Sequence, residues 1–406
     1  MSTVLLIAPG YLAEIPEFAR GLAEVGATVY GCGDRPAATL PEPLRRVLSD
    51  YRQIGSPSDA ASVLPQLQEW LHGRRLDRIE CLAQDALLLA AQLREALGVA
   101  GMSVEQTLPF RDRDTLRRLL DAAGIRQPRR AVCETADECR SAAERIGFPL
   151  IIKASVGAGP AETYRLNSPN ELPAVLPRLA TAAQVVVEEF VDGTEFTFDT
   201  ITSGGTIAYY SVAMYRPRPL IARSNEWVSP QVIALRDPDS AYLADGLRMG
   251  RDVIRVLGFD TGFTHMRWYR KPDGEVVFGD IVPCPPGAHQ VDQMNYTCDC
   301  DVYREWACAV TAQRLGAGVA RRYNVATIVK RAQGRGTIRR IVGLEEFKAR
   351  HGETIVWDSL SRPGTPRRNW LATPLADGFI MLRHPDLATT LQLADQVASD
   401  VQLYAS

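Results

Sequence analysis

The chain has no apolar run approaching the roughly 18 residues that a membrane span needs, and no basic segment with a small-residue cleavage site at its start, where Met1-Ser2-Thr3-Val4-Leu5-Leu6-Ile7 reads as an opening strand. Large net charge is missing too: 46 basic against 48 acidic side chains leave −2. A protein held on nucleic acid or a membrane surface by bulk charge needs a basic face, so neither partner is expected. No C-x-x-C pair occurs. The closest cysteines, Cys298, Cys300 and Cys308, lack zinc-ligand spacing, and a cytoplasmic protein with reduced thiols is expected. Internal repeats and low-complexity tracts are absent, which removes solenoids and disordered arrays. No G-x-G-x-x-G follows the first strand, so a dinucleotide fold is not indicated.

What is present is an ordinary globular composition, 46% hydrophobic and 23% charged, over 406 residues. One core stops growing at about 250–300 residues, so two or three domains are required. The pattern opens as strand, helix, strand. Val4–Ala8 is apolar, Ile15–Val25 has helical spacing up to Gly26, and Ala27–Tyr30 is apolar again. That βαβ unit predicts a parallel sheet in a domain over residues 1–108. A second unit begins near Pro109, with helices over Arg111–Ala123 and Ala136–Ile146, each closed by a glycine. Strands are expected at Leu150–Lys153, Val185–Val187, Phe196–Ile201, Thr206–Val212, Thr264–Tyr269 and Val276–Ile281, with a helix over Ala241–Leu257. The fold class is α/β with α+β. Small and large lobes are expected over residues 109–190 and 191–406, the latter ending in an α+β segment.

Two stretches carry chemistry. Lys153 ends an apolar strand and is followed by Ser155-Val156-Gly157-Ala158-Gly159, a small-residue loop whose N–H groups can approach phosphate closely. A lysine snorkelling to solvent beside a plain turn has the same local signature. In Val185–Glu189, running on through Phe190-Val191-Asp192-Gly193-Thr194-Glu195, a buried strand meets paired acids, a turn and a third acid. Such a hinge suits a purine on backbone groups and ribose hydroxyls on a carboxylate. A solvated strand end is the alternative. Tyr215–Arg223 places Arg216, Arg218 and Arg223 in a proline-rich loop, either a lid for oxyanions or a surface loop. Arg331–Arg340 reads as an exposed basic hairpin.

Taken in order, these stretches resemble the ATP-grasp superfamily, in particular its carboxylate–amine ligase branch, from about Pro109 to Ala307. Arg111-Asp112-Arg113 stands where that family opens its ATP domain. Gly147–Lys153 is similar to its lysine strand, and Glu188–Glu195 to its adenine hinge and ribose acid. Gly262-Phe263-Thr264-His265, Asp280 and Pro286-Gly287-Ala288-His289 resemble its metal-bearing strand pair. The resemblance implies an N-terminal preATP-grasp-like domain, ATP and Mg2+ as cofactors, and amide or peptide bond formation through an acyl phosphate. Small carboxylates and amines, such as the amino acids of a biosynthetic route, would be the substrates. It assigns ATP contacts to Arg113, Lys153, Glu188, Glu189, Phe190, Val191, Glu195 and His265, metal to Asp280, and catalytic charge to Arg216, Arg218, Arg223 and Arg267. A homodimer is compatible with it.

The chain also departs from the pattern. The family's first metal glutamate corresponds to Arg267, its second to the shorter Asp280, its asparagine to Val282 and its arginine to Cys284. Arginine for glutamate exchanges −1 for +1 at a metal site, and the guanidinium can face the triphosphate instead. One ion or none is expected there, unless Glu226, Glu275 or Asp292 substitutes as a ligand. Two functions therefore stand: a ligase with a variant site, and a non-catalytic ATP-grasp protein that binds nucleotide or a partner as scaffold or regulator.

Overall fold

A computed structural model describes residues 2–11, 13–154, 163–179, 182–312, 315 and 319–406. The opening βαβ pattern forms a parallel four-stranded sheet in the order Leu48–Gln53, Thr28–Gly33, Thr3–Ile7, Arg78–Cys81. The helix Ile15–Glu24 buries Phe18 and Leu22, and Phe18 meets Tyr303 and Trp306 edge to face, tying this sheet to the helix Val302–Ala312.

The second sheet is antiparallel, in the order Arg130–Cys133, Val185–Glu189, Leu150–Ala154, Thr163–Leu166. Its covering helix, Ala136–Ile146, starts at a capping box. The Thr135 hydroxyl accepts from the Glu138 N–H at 3.2 Å, and the Glu138 carboxylate accepts from the Thr135 N–H at 3.4 Å. Alternation along Leu150–Ala154 sends Leu150, Ile152 and Ala154 into the core under that helix and leaves Ile151 and Lys153 on the other face.

The third sheet has nine strands. Eight run Val276–Val282, Gly262–Arg270, Thr194–Ser203, Ala213–Arg216, Gln231–Ala234, Asn324–Val329, Phe379–His384, Ile355–Asp358, and Thr206–Ser211 adds to Thr194–Ser203. The helix Ala244–Val256 packs on one face through Gly246 and Gly250. A Cβ at Gly246 would stand 2.2 Å from the Trp268 ring, and one at Gly250 2.4 Å from Phe198. Phe196, Phe198, Met266 and Trp268 are thus fixed in the core. Their alternate neighbours, Glu195, Thr197, Asp199, His265, Arg267 and Tyr269, point to the opposite face. Phe110, Leu116, Leu120 and Ile125 join this same core.

The basic run Arg331–Arg340 keeps Arg335, Arg339 and Arg340 exposed, as the sequence suggests, but it does not close on itself as a hairpin. Gln333–Gly334 and Ile338–Val342 each pair with Gln402–Ala405, which lies between them. Lys330 and Arg331 are buried. Lys330 Nζ donates to Ser229 Oγ at 2.9 Å and to the carbonyls of Ala398 and Val397 at 2.8 and 3.2 Å. Enough acceptors are supplied by the folded chain to hold a charge that local sequence presents as solvated. Among the described residues no helix is long and apolar enough to cross a membrane.

Candidate functional site

The exposed face of the small sheet meets the edge of the large one at a cleft of about 210 Å³. Arg113, Arg117, Lys153, Glu188, Arg267 and Asp280 line it. Four cations therefore face two carboxylates, an excess that suits a polyanion. Each residue arrives by a local rule. Arg113 opens the helix Arg113–Ala122, whose N-cap Asp112 accepts from the Asp114 N–H at 3.0 Å. Lys153 is the cleft-facing member of its alternating strand. Its Nζ lies 3.8 Å from Glu188 Oε2, which also takes a bond from Arg117 Nη2 at 3.3 Å.

Arg267 and Asp280 face each other across antiparallel strands, with a bulge directly after Arg267. Arg267 Nη2 donates to Asp280 Oδ2 at 3.3 Å, and its Nη1 stands 3.8 Å from Glu195 Oε1. Glu195 is 2% exposed and its Oε1 accepts no hydrogen bond among the described residues. Burial raises its pKa, against the opposing pull of Arg267 and Arg218. Glu195 thus reaches the cleft through Arg267 and does not itself line it.

The other expected residues are placed differently. Glu189 is turned away and bound by Arg126 through both oxygens at 2.8 and 2.9 Å, and by Arg129 Nε at 3.1 Å and the Arg129 N–H at 3.0 Å. Burial works to raise its pKa, but the hydrogen bonds from Arg126 and Arg129 prevail and hold it at about 2. Phe190 is buried beneath the guanidinium groups of Arg165 and Arg218, 3.9 and 4.5 Å from its ring centre. The Val191 carbonyl accepts from Arg218 Nη1 at 2.6 Å. The hinge is therefore covered by Arg218. His265 Nδ1 bonds the fully buried Asp199 at 2.5 Å, and Asp199 also accepts from the Thr197 hydroxyl at 2.6 Å.

The three loop arginines separate. Arg218 joins the Glu195 group. Arg216 turns to Gln231 and Asp395, at 3.2 and 3.0 Å. Arg223 sits on the short helix Pro219–Ser224 and lines a second cavity, of about 240 Å³, with Tyr215, Gln290, Arg331, Trp370 and Leu371. Arg331 lies over the Trp370 ring at 4.3 Å. Tyr215 lines this second cavity and not the cleft: its hydroxyl bonds Gln290, and burial, then the charge of Asp199, raises its pKa. Local pattern alone misses Asp199, Thr197, Tyr215, Tyr269 and Arg117. One signal was available, the polar alternation of Glu195, Thr197 and Asp199 with Phe196 and Phe198.

Among the described residues no substitute metal set forms. Glu275 pairs with Arg126 at 2.9 Å and Lys271 at 2.6 Å, Asp292 with His289 at 2.7 Å, and Glu226 with Arg367. Among the described residues no group of three His, Cys, Asp or Glu side chains is placed to hold a metal ion. Cys298 and Cys300 lie 3.0 Å apart, sulfur to sulfur. The small-residue loop Ser155–Gly159 lies outside the described residues.

Comparison with known proteins places this geometry in context. Residues 112–196 match the family model described as the carbamoyl-phosphate synthase L chain, ATP binding domain. An L-arginine-specific L-amino acid ligase of Bacillus subtilis is 22% identical over 212 residues, which are 50% of each chain. A D-alanine–D-alanine ligase of Pseudomonas putida is 32% identical over 108 residues, 26% of this chain and 34% of that one. The chain thus spans half or less of the length of these relatives. Among solved structures, an L-amino acid ligase from Bacillus licheniformis superposes over 100% of this chain and 99% of its own, with a TM-score of 0.77 at 17% identity. A phosphoribosylglycinamide synthetase from Anaerococcus prevotii covers 100% of both, at 0.74 and 12%. A biotin carboxylase domain from Hydrogenobacter thermophilus, crystallised with MgADP, covers 99% of this chain and 91% of its own, at 0.65 and 15%.

Proposed function

We propose that this chain, which has the ATP-grasp fold, is an ATP-dependent carboxylate–amine ligase acting on small molecules. The observation that carries the reading is the cationic cleft, where Arg113, Arg117, Lys153 and Arg267 converge between the two sheets. A triphosphate there would be neutralised mainly by side chains. The carboxylate oxygen of one substrate bonds to the γ-phosphorus as ADP leaves. The amine nitrogen of the other then bonds to the acyl carbon as phosphate departs, so one amide forms for each ATP cleaved. Arg218 is proposed to control access, since it covers Phe190 and Val191 and must withdraw for a purine to reach the hinge. The neighbouring cavity of Trp370, Leu371 and Arg331 is proposed to take the organic part of one substrate, apolar groups against the indole and a carboxylate near the guanidinium.

The described residues do not fit a protein-held two-ion site. Asp280 is the single acid retained at the position, it is already paired with Arg267, and Val282, two residues further along the same strand, offers no side-chain oxygen. No step is therefore routed through a metal. That same substitution favours the second reading, a nucleotide-binding protein without turnover. Phosphate release from ATP over a panel of amino acids, with products weighed by mass spectrometry, separates the two. Release that needs both substrates and yields the condensed product supports the ligase. Binding of ATP with no release under any pairing supports the scaffold.

A further inference from the structure

Arg267 occupies an unusual electrostatic position for a side chain. It is held between two carboxylates on neighbouring strands, Asp280 at 3.3 Å and Glu195 at 3.8 Å, at the mouth of an anion-suited cleft. A cation flanked by two acids and facing phosphate is the arrangement a divalent ion commonly supplies. Here the charge is covalently part of the chain. Glu195, buried with an unsatisfied oxygen, lies between two permanent positive charges, Arg267 Nη1 at 3.8 Å and Arg218 Nε at 3.7 Å. An ion entering between Arg267 and Asp280 would meet a like charge within a few ångströms, and the remaining acids of the region are committed to other partners.

We propose that Arg267 is a resident cation at the phosphate end of the cleft, so that the chain binds a nucleoside triphosphate without requiring a divalent ion. The planar guanidinium keeps its charge at every accessible pH and presents paired donors to phosphate oxygens. On binding, its hydrogen bonds are shared between Asp280 and the phosphate, while Glu195 keeps it in place from behind. The inference rests on the nucleotide reading of the cleft, and the test separates the two.

The test is calorimetric titration of ATP into the full chain, once with EDTA and once with saturating magnesium. The two dissociation constants should agree within about threefold. Arg267→Gln should weaken binding at least about tenfold in EDTA. Arg267→Glu should bind ATP only when magnesium is present. A wild-type affinity that falls more than about tenfold in EDTA overturns the inference and leaves the nucleotide site standing. No binding in either buffer overturns both. The wild-type comparison decides the matter even where a variant fails to fold.

Discussion

Arg267 and Asp280 stand directly opposite each other on two antiparallel strands, guanidinium to carboxylate, with 3.3 Å between donor and acceptor. The pair turns what the ATP-grasp pattern treats as a metal position into an ion pair. It follows from a single register: the strand that buries Met266 and Trp268 must turn His265, Arg267 and Tyr269 to its other face, where Arg267 and Tyr269 line the cleft.

Lys153 should carry nucleotide affinity. Its ammonium lines the cleft and, among the described residues, its ion-pair partner is Glu188, at the long distance of 3.8 Å, which leaves it able to turn toward an anion. Lys153→Ala should cost roughly 1.5–3 kcal/mol of ATP binding, the worth of one charge-assisted hydrogen bond. Calorimetry on the variant checks this, and unchanged affinity would remove Lys153 from the site.

Glu189 should make the protein acid-sensitive. Its folded pKa, about 2, lies below the ordinary 4.5. A depressed carboxylate stabilises the fold above its unfolded pKa, and that contribution is lost as pH falls from about 4.5 toward 2. The contribution is on the order of 2 kcal/mol after allowing for the partly exposed Arg126. Urea midpoints for wild type and Glu189→Gln should converge as the pH drops through that window. A gap between them that is constant with pH would contradict the assignment.

Gly246 should be intolerant of any side chain. A methyl group there would lie 2.2 Å from the Trp268 ring, which is fully buried and cannot retreat. Gly246→Ala should destabilise by about 1–3 kcal/mol despite alanine's better helix propensity. Because Trp268 neighbours Arg267, ATP affinity should fall as well. Equal or greater stability in thermal denaturation would show that the helix is free to lift from the sheet.

Trp370 should affect substrate use and leave nucleotide binding intact. It lines the second cavity and stacks under Arg331, away from Lys153 and Arg267. Trp370→Ala should raise KM for one organic substrate several-fold while the calorimetric affinity for ATP stays at the wild-type value. A parallel loss of ATP binding would place the residue in the nucleotide site or in the fold's support.

Much of this was legible in the sequence because it follows from short-range periodicity. The N-terminal βαβ pattern, the lysine strand, the hairpin of Thr194–Ser203 with Thr206–Ser211 and the strand pair bearing His265, Arg267 and Asp280 can each be read within a short window of sequence. The departures at Arg267 and Val282 could also be read, since they are identities at aligned positions. What could not be read depends on distant partners. Glu189 looks like a cleft acid until Arg126 and Arg129 are seen to hold it on the other side. Lys330 and Arg331 look solvated until their carbonyl acceptors at Val397, Ala398, Ala222 and Asn225 are brought near by folding. The division of Arg216, Arg218 and Arg223 among three surroundings is likewise set by Gln231, Val191 and Trp370, none of them adjacent in the chain.

The most direct measurement follows oxygen. A substrate carboxylate labelled with heavy oxygen is incubated with the protein, ATP and an amine, and the released phosphate is analysed by mass spectrometry. A ligase working through an acyl phosphate transfers one labelled oxygen from the carboxylate to each phosphate released, because that oxygen bonds to phosphorus before the amine displaces it. Labelled phosphate in step with amide formation is the predicted result. Unlabelled phosphate, or amide formed with no ATP consumed, would contradict the account.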